Sequence, residues 1–161
     1  MIFQNAIDFT RSFSRAMLFW AMLFAGFPVF AQEEISVPVG NNEVVPVQRF
    51  AAVGDTVVIW TPSDFGVQPP QTPVAAAIAK QGIEVWIADL HTAYFAAPGR
   101  YSSEGFPASD IGLLIDAALA RGKKNVVLAS SGRAARLILR GARQWQLDHP
   151  GKSSIRGLIL F

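Results

Sequence analysis

Short apolar runs alternate with helical patterns along most of this chain. Four runs are mainly apolar, with apolar residues at neighbouring positions, at 56–60, 83–90, 126–128 and 157–161. Three segments have helical spacing, at 73–82, 110–122 and 133–147. Successive apolar positions are typical of strands buried on both faces, and strands that alternate with helices predict parallel crossover units. The pattern therefore predicts an α/β fold whose sheet is mostly parallel, with helices on both faces.

Two shorter runs precede these elements and flank the turn residues Gly40, Asn41 and Asn42. They predict an antiparallel hairpin, which makes the sheet mixed. Pro38 and Pro46 lie within the two strands, and a proline has no N–H to donate to a neighbouring strand. We therefore expect both strands of the hairpin at the outer margin of the sheet.

The segment 125–135 carries the main candidate for chemistry. An apolar strand pattern runs into a cluster of very small residues, Ala129 to Gly132, and a helical pattern follows at once. Such a turn lies at the carboxyl edge of a buried strand, where the N–H groups of the next helix face a crevice. The two serines of the cluster, Ser130 and Ser131, raise the question of a nucleophile.

The order of elements and the position of this turn resemble the first half of an α/β-hydrolase, over residues 35–161. The resemblance implies hydrolysis of an ester or acyl bond by a serine in a G-x-S-x-G turn. Centring that pattern on Ser131 leaves Arg133 where a small residue is required. Centring it on Gly132 puts Ser130 and Ala134 at the two small positions. Ser131 as nucleophile and a non-catalytic binding protein with Gly132 at the apex are thus the two hypotheses.

The resemblance also implies an oxyanion hole of backbone N–H groups. The candidates are Phe65 and Gly66 after one strand, together with Gly132. Arg133, in the first turn of the following helix, is a candidate for binding a substrate carboxylate or phosphate. The family's acid and histidine follow later strands than this sequence contains, so we expect a partial hydrolase-like domain that is inactive as the chain stands.

Other candidate residues surround this turn. Asp89 and His91 would point to the same side of a strand and could pair, but we favour His91 as a hydrogen-bonded loop histidine. His149 fits the end of a helix. The loop 91–109 holds four aromatic residues that form either a binding lid or a core cover: Tyr94, Phe95, Tyr101 and Phe106. Asp110 is expected to cap the next helix. Four arginines share one helical face and are expected to be solvated: Arg133, Arg136, Arg140 and Arg143.

Composition narrows the classes of function. The chain has 161 residues, a formal net charge of +2 and no cysteine, so disulfides and thiolate chemistry are excluded and nucleic acid is not an expected partner. No metal-ligand spacing, phosphate loop or dinucleotide fingerprint is present, so no cofactor is expected. A small-molecule or acyl substrate fits the resemblance, and the sequence leaves the oligomeric state open.

The first residues have the order of a signal peptide. Arg11 and Arg15 precede an uncharged apolar run, 16–31, and polar residues follow it. This order predicts residues 1–31 as a signal peptide cleaved after Ala31, with residues 32–161 as the mature domain, secreted or periplasmic. The alternative is an uncleaved membrane anchor formed by 16–31, although this run is shorter than the roughly 20 residues that span a bilayer.

Overall fold

A six-stranded mixed sheet organises the part of the chain that the structure, a computed structural model, describes: residues 32–161. The strands are β1 (Gln32–Pro38), β2 (Val44–Phe50), β3 (Thr56–Thr61), β4 (Glu84–Ala88), β5 (Asn125–Ser130) and β6 (Ile155–Leu160). Their order across the sheet is β1-β2-β4-β3-β5-β6. The pairs β1/β2 and β2/β4 are antiparallel, and the other three are parallel. The predicted signal peptide lies outside the described residues.

Helices cover both faces of this sheet. They are α1 (Gln71–Ala79), α2 (Leu90–Ala93), α3 (Ser109–Ala120) and α4 (Ala135–Asp148). Side chains of α3 and α4 pack with one face of β3, β4 and β5, and those of α1 pack with the other face. The prediction of a mixed, mostly parallel sheet with helices on both faces is confirmed. Within residues 32–161, no helix has the length and apolarity that crossing a membrane requires.

The position of β2 corrects the edge prediction for the hairpin. Strand β1 is at the margin, as expected, but β2 lies between β1 and β4. Pro46 is compatible with this interior position because the β2/β4 ladder runs only from Val47 to Phe50. Next to that ladder the Pro46 carbonyl accepts a hydrogen bond from the Asp89 N–H at 3.0 Å. The missing proline N–H is therefore never required by β4.

The long loop after β4 is more structured than the sequence predicted. Strand β4 ends at Ala88, and Leu90 begins the single turn of α2. Asp110 does not cap α3, because the cap position is Ala108 and α3 begins at Ser109. The fully buried Asp110 carboxylate instead accepts hydrogen bonds from the Tyr94 hydroxyl and, at 3.2 Å, from the Gly40 N–H. It thus joins the loop, the hairpin turn and α3.

Candidate functional site

The turn between β5 and α4 has glycine at its strained position. Ser131 is extended, with φ −124° and ψ 154°, whereas Gly132 has φ +60° and opens a 3₁₀ turn that leads into α4. A left-handed φ is sterically costly for residues with a Cβ and costs glycine little. A Cβ at Gly132 would meet no atom within 4 Å, so backbone conformation and not space favours glycine here.

The two serines beside Gly132 differ in their surroundings. The Ser130 hydroxyl is fully buried and has no hydrogen-bond partner within the described residues. Ser131 is half-buried, and its side chain makes no capping hydrogen bond to the turn that follows. Ser131 is thus the more accessible of the two hydroxyls, although it does not occupy the left-handed position.

The three backbone N–H groups predicted for an oxyanion hole are engaged in the fold. Phe65 N–H donates to the Ser63 hydroxyl at 3.3 Å, and Gly66 N–H donates to the Ser63 carbonyl at 2.9 Å. Gly132 N–H donates to the Phe161 carbonyl at 2.8 Å, which extends the pairing of β5 with β6. Each group would have to leave its present acceptor before it could stabilise an oxyanion.

The structure does not form the predicted pair of Asp89 and His91. Asp89 caps α2, and its carboxylate accepts from the Thr92 N–H at 3.1 Å and the Thr92 hydroxyl at 2.7 Å. The two residues do not share one side of a strand, as the pairing would require, because β4 has already ended at Ala88. His91 lies in the helical turn of α2, so its side chain points in a different direction from the one it would have if β4 continued to residue 91.

His91 contacts a different hydroxyl, that of Ser102. The His91 Nε2 atom lies 2.8 Å from the Ser102 Oγ, and this hydroxyl donates to the Asp64 carbonyl, also at 2.8 Å. A hydroxyl has one proton, so Nε2 must donate to Ser102 in this arrangement. His91 therefore cannot act as a base toward Ser102 without breaking the bond to Asp64. The buried imidazole also packs edge-on against Phe106, with ring centroids 5.0 Å apart.

The four aromatic residues of the loop divide between the two predicted roles. Phe106 is buried and Tyr94 stacks on it at 5.6 Å, so these two cover the core. Burial, together with the hydrogen bond to Asp110, raises the pKa of Tyr94 above its ordinary value. Phe95 and Tyr101 are 91% and 50% exposed, and both have a positive φ. These two have the exposed rings that a binding lid requires.

A cavity of about 320 Å³ lies at the carboxyl ends of β3 and β5, beside the glycine turn. Its lining residues come from three loops: Ser63, Asp64, Phe65, Arg100, Gly132 and Arg133. The buried Asp64 carboxylate accepts from the N–H of Ser103 at 3.0 Å and from its hydroxyl. Arg100 and Asp64 are site residues that were not predicted from the sequence. Asp64 follows a strand end, which is a usable signal, whereas nothing in the pattern places Arg100.

A wider cavity of about 530 Å³ adjoins the first through Phe65. Its lining includes Gly66, His91 and the exposed Phe95. The sequence-predicted residues thus divide between two neighbouring spaces, with Gly132 and Arg133 in one, Gly66 and His91 in the other, and Phe65 in both.

The remaining predicted residues lie in the 3₁₀ turn before α4, along α4 and at its end. All four arginines of the helical face are exposed, and Arg136 pairs with Glu104 at 3.1 Å. His149 follows the last residue of α4, where its Nδ1 lies 3.0 Å from the Trp145 carbonyl and its ring stacks on Trp145. Residues 32–161 contain no cluster of acids and histidines that could hold a metal ion.

No family profile and no curated protein matches this chain. Among solved structures it is similar to a dienelactone hydrolase-like promiscuous phosphotriesterase from metagenomic libraries, with TM-score 0.59, 14% identity, and coverage of 81% of this chain and 58% of that protein. It is also similar to a thioesterase domain from the curacin biosynthetic pathway, with TM-score 0.54, 20% identity and coverage of 81% and 46%. A bacterial heroin esterase gives TM-score 0.50, 15% identity and coverage of 81% and 46%.

These identities are low, so the likeness concerns the fold. The chain spans about half the length of the solved structures that it resembles. The matched structures are hydrolases of one superfamily, and they share the mixed, mostly parallel sheet described above. Residues 32–161 have the fold of part of an α/β-hydrolase, which confirms at the level of the fold the resemblance identified from the sequence.

Proposed function

We propose that this protein is an exported, non-catalytic member of the α/β-hydrolase fold, which binds a small molecule at the carboxyl edge of its sheet. The observation that carries the proposal is the left-handed φ of +60° at Gly132, next to an extended Ser131. In a nucleophile turn the strained position holds the reactive side chain. Here that position has no side chain at all.

Two features of the surrounding residues support the absence of catalysis. A serine nucleophile needs a base within hydrogen-bond reach. His91 donates to Ser102, and His149 bonds the Trp145 carbonyl, so neither histidine of the chain contacts Ser131. The N–H groups that would stabilise an oxyanion are bonded within the fold.

Binding is supported by where the cavities lie. In open α/β sheets, ligands bind in the crevice outside the carboxyl ends of the strands. The cavity at Gly132, of about 320 Å³, lies at those ends and is within the size range of small-molecule sites. The adjoining cavity of about 530 Å³ would extend it toward the exposed Phe95.

Labelling with a fluorophosphonate probe tests the proposal, because only an activated serine reacts. We expect no labelling of the purified protein beyond that of a heat-denatured sample, and no turnover of p-nitrophenyl acetate or butyrate. An active serine hydrolase in the same assay shows that the probe is competent.

Three serine variants would identify the residue that reacts, if the probe labels the protein. Ser131→Ala removes the candidate nucleophile, Ser130→Ala removes the buried neighbouring hydroxyl, and Ser102→Ala removes the one hydroxyl that His91 contacts. Labelling that disappears in any one of these variants would overturn the proposal and identify the nucleophile. Loss in Ser131→Ala alone would establish the rival hypothesis of a serine hydrolase.

A further inference from the structure

We infer that the ligand of this site is a small oxyanion, a carboxylate or a phosphate, which the guanidinium groups of Arg100 and Arg133 hold between them. The inference specifies the ligand class of the proposed binding function and rests on it. Both arginines line the cavity of about 320 Å³, although 33 residues separate them in sequence. Guanidinium groups form strong, paired hydrogen bonds to carboxylates and phosphates.

The charges of these two arginines are uncompensated by ion pairs. Within residues 32–161, neither Arg100 nor Arg133 forms a salt bridge, whereas Arg136 on the same helix face pairs with Glu104. Asp64 is the only acid in the cavity lining, and it is buried and hydrogen-bonded to Ser103. The cavity therefore has a positive charge that an anionic ligand would neutralise.

The cavity is held in place by contacts of its own loops. Asp64 accepts from Ser103 through its carboxylate, and its carbonyl accepts from the Gly99 N–H at 2.8 Å. These bonds tie the residues on both sides of Arg100 to the loop after β3. The Arg133 guanidinium lies 4.0 Å from the ring centroid of Tyr101, a cation–π contact that restricts its orientation. Backbone bonds thus fix the loop that carries Arg100, and the contact with Tyr101 restricts the Arg133 guanidinium, which lowers the entropic cost of binding.

A smaller groove shares Arg133 and offers an alternative place for an anion. It encloses about 140 Å³ and is lined by Arg136, Arg140 and Glu104. The carboxylate of Glu104 already neutralises Arg136 there, at 3.1 Å. The cavity beside Gly132 differs from the groove in lying at the carboxyl ends of the strands, where ligands of open α/β sheets bind, and its variants can be separated from those of the groove.

The test is a titration of the purified protein with inorganic phosphate and, separately, with acetate, at constant ionic strength set by sodium chloride. Arginine Nε–Hε resonances report binding at each guanidinium. We expect saturable shifts for Arg100 and Arg133 with at least one of the two anions. Truncating a charged hydrogen-bond donor costs about 1.5–3 kcal/mol, so Arg100→Gln and Arg133→Gln should each weaken binding roughly tenfold or more.

Two further variants locate the site. Arg143→Gln removes an exposed arginine of α4 that lines neither space, and Arg140→Gln removes one that lines only the groove. Both should bind as the unaltered protein does. Absence of saturable shifts with either anion, or equal weakening in all four variants, would overturn the inference.

The outcome of the anion titration is independent of the outcome of the labelling experiment. An unlabelled protein that binds neither anion would remain a non-catalytic protein, with a ligand of another class. A labelled protein that binds an oxyanion through Arg100 and Arg133 would be a hydrolase of anionic substrates.

Discussion

At the scale of single residues, the most consequential buried charge is Glu84, the first residue of β4. Its fully buried carboxylate accepts from Arg49 Nε at 2.7 Å, Lys123 Nζ at 2.8 Å and Trp86 Nε1 at 2.6 Å. Lys123 in turn donates to the carbonyls of Ala52 and Gly54, at 2.9 and 2.8 Å. These bonds lie at the amino ends of the parallel strands, opposite the candidate site, and they satisfy charges that would otherwise be costly to bury.

The pKa of Glu84 makes this network a source of acid sensitivity. Burial by itself raises the pKa, but hydrogen bonds from Arg49, Lys123 and Trp86 outweigh it and lower the pKa to about 2, from 4.5. A carboxyl whose pKa is depressed on folding stabilises the fold above the unfolded pKa. That stabilisation, about 3 kcal/mol from the size of the shift, is lost as the pH falls from about 4.5 toward 2.

We therefore expect Glu84→Gln to lower the free energy of unfolding by about 3–5 kcal/mol at pH 7, because it leaves Arg49 and Lys123 without their carboxylate. Urea unfolding of both proteins between pH 7 and pH 2.5 measures the effect. The difference should shrink below pH 4.5. Glu34→Gln, at an exposed position of β1, should stay within about 0.5 kcal/mol. A pH-independent difference would contradict the assigned role of the charge.

At the scale of elements, the packing of α3 against α4 depends on the missing side chain of Gly141. A Cβ at this position would overlap the Cβ of Ile111 and lie 2.7 Å from the Ala108 carbonyl oxygen. Two helices approach closely here because one of them has only a hydrogen at the contact. Since α4 begins at the glycine turn, the position of Arg133 depends on this helix pair.

We expect Gly141→Ala to destabilise the protein by about 1–3 kcal/mol, because overpacking exceeds the gain of about 1 kcal/mol in helix propensity. Gly112→Ala is the matched control in the facing helix, where the nearest atom, Trp145 Cδ1, is at an ordinary 3.4 Å. That variant should be neutral or up to about 1 kcal/mol more stable. The midpoints of urea unfolding measure the stability of both variants. If Gly141→Ala stabilised the protein as much as Gly112→Ala, the two helices could move apart without cost and the close contact at Gly141 would not matter for stability.

At the scale of the whole molecule, the proposed export would determine which part of the chain forms the mature protein. Cleavage after Ala31 would remove Arg11, Arg15 and Asp8, leaving 12 bases (14 − 2) and 11 acids (12 − 1). The proposed mature protein is thus nearly neutral, and its first residue would be Gln32, the first residue of β1.

Expression in a Gram-negative host with a carboxyl-terminal tag tests the export proposal. We expect periplasmic protein whose amino-terminal residue is Gln32, because an apolar segment after basic residues directs secretion. Leu23→Arg, which places a charge within the apolar run, should leave uncleaved protein in the cytoplasm. Uncleaved protein of the original sequence in the membrane fraction would instead support the anchor formed by 16–31.

The alternation of apolar runs and helical patterns was enough to predict the sheet, its mixed character and the helices on both faces. The local sequence also limited the residue at the apex of the turn to Ser131 or Gly132, because only small residues fit beside a sharp strand-to-helix turn. These features depend on residues close together in sequence, where periodicity and backbone preference act directly.

Tertiary structure decided what depends on distant residues. It placed β2 inside the sheet, turned the chain at Leu90 so that His91 meets Ser102 instead of Asp89, and brought Arg100 to the cavity that holds Arg133. No local pattern encodes such contacts, because they arise from the order of strands and from loops joined by buried hydrogen bonds. The tertiary structure also decided between the two candidates for the apex of the turn, because the left-handed φ of +60° belongs to Gly132 and Ser131 is extended.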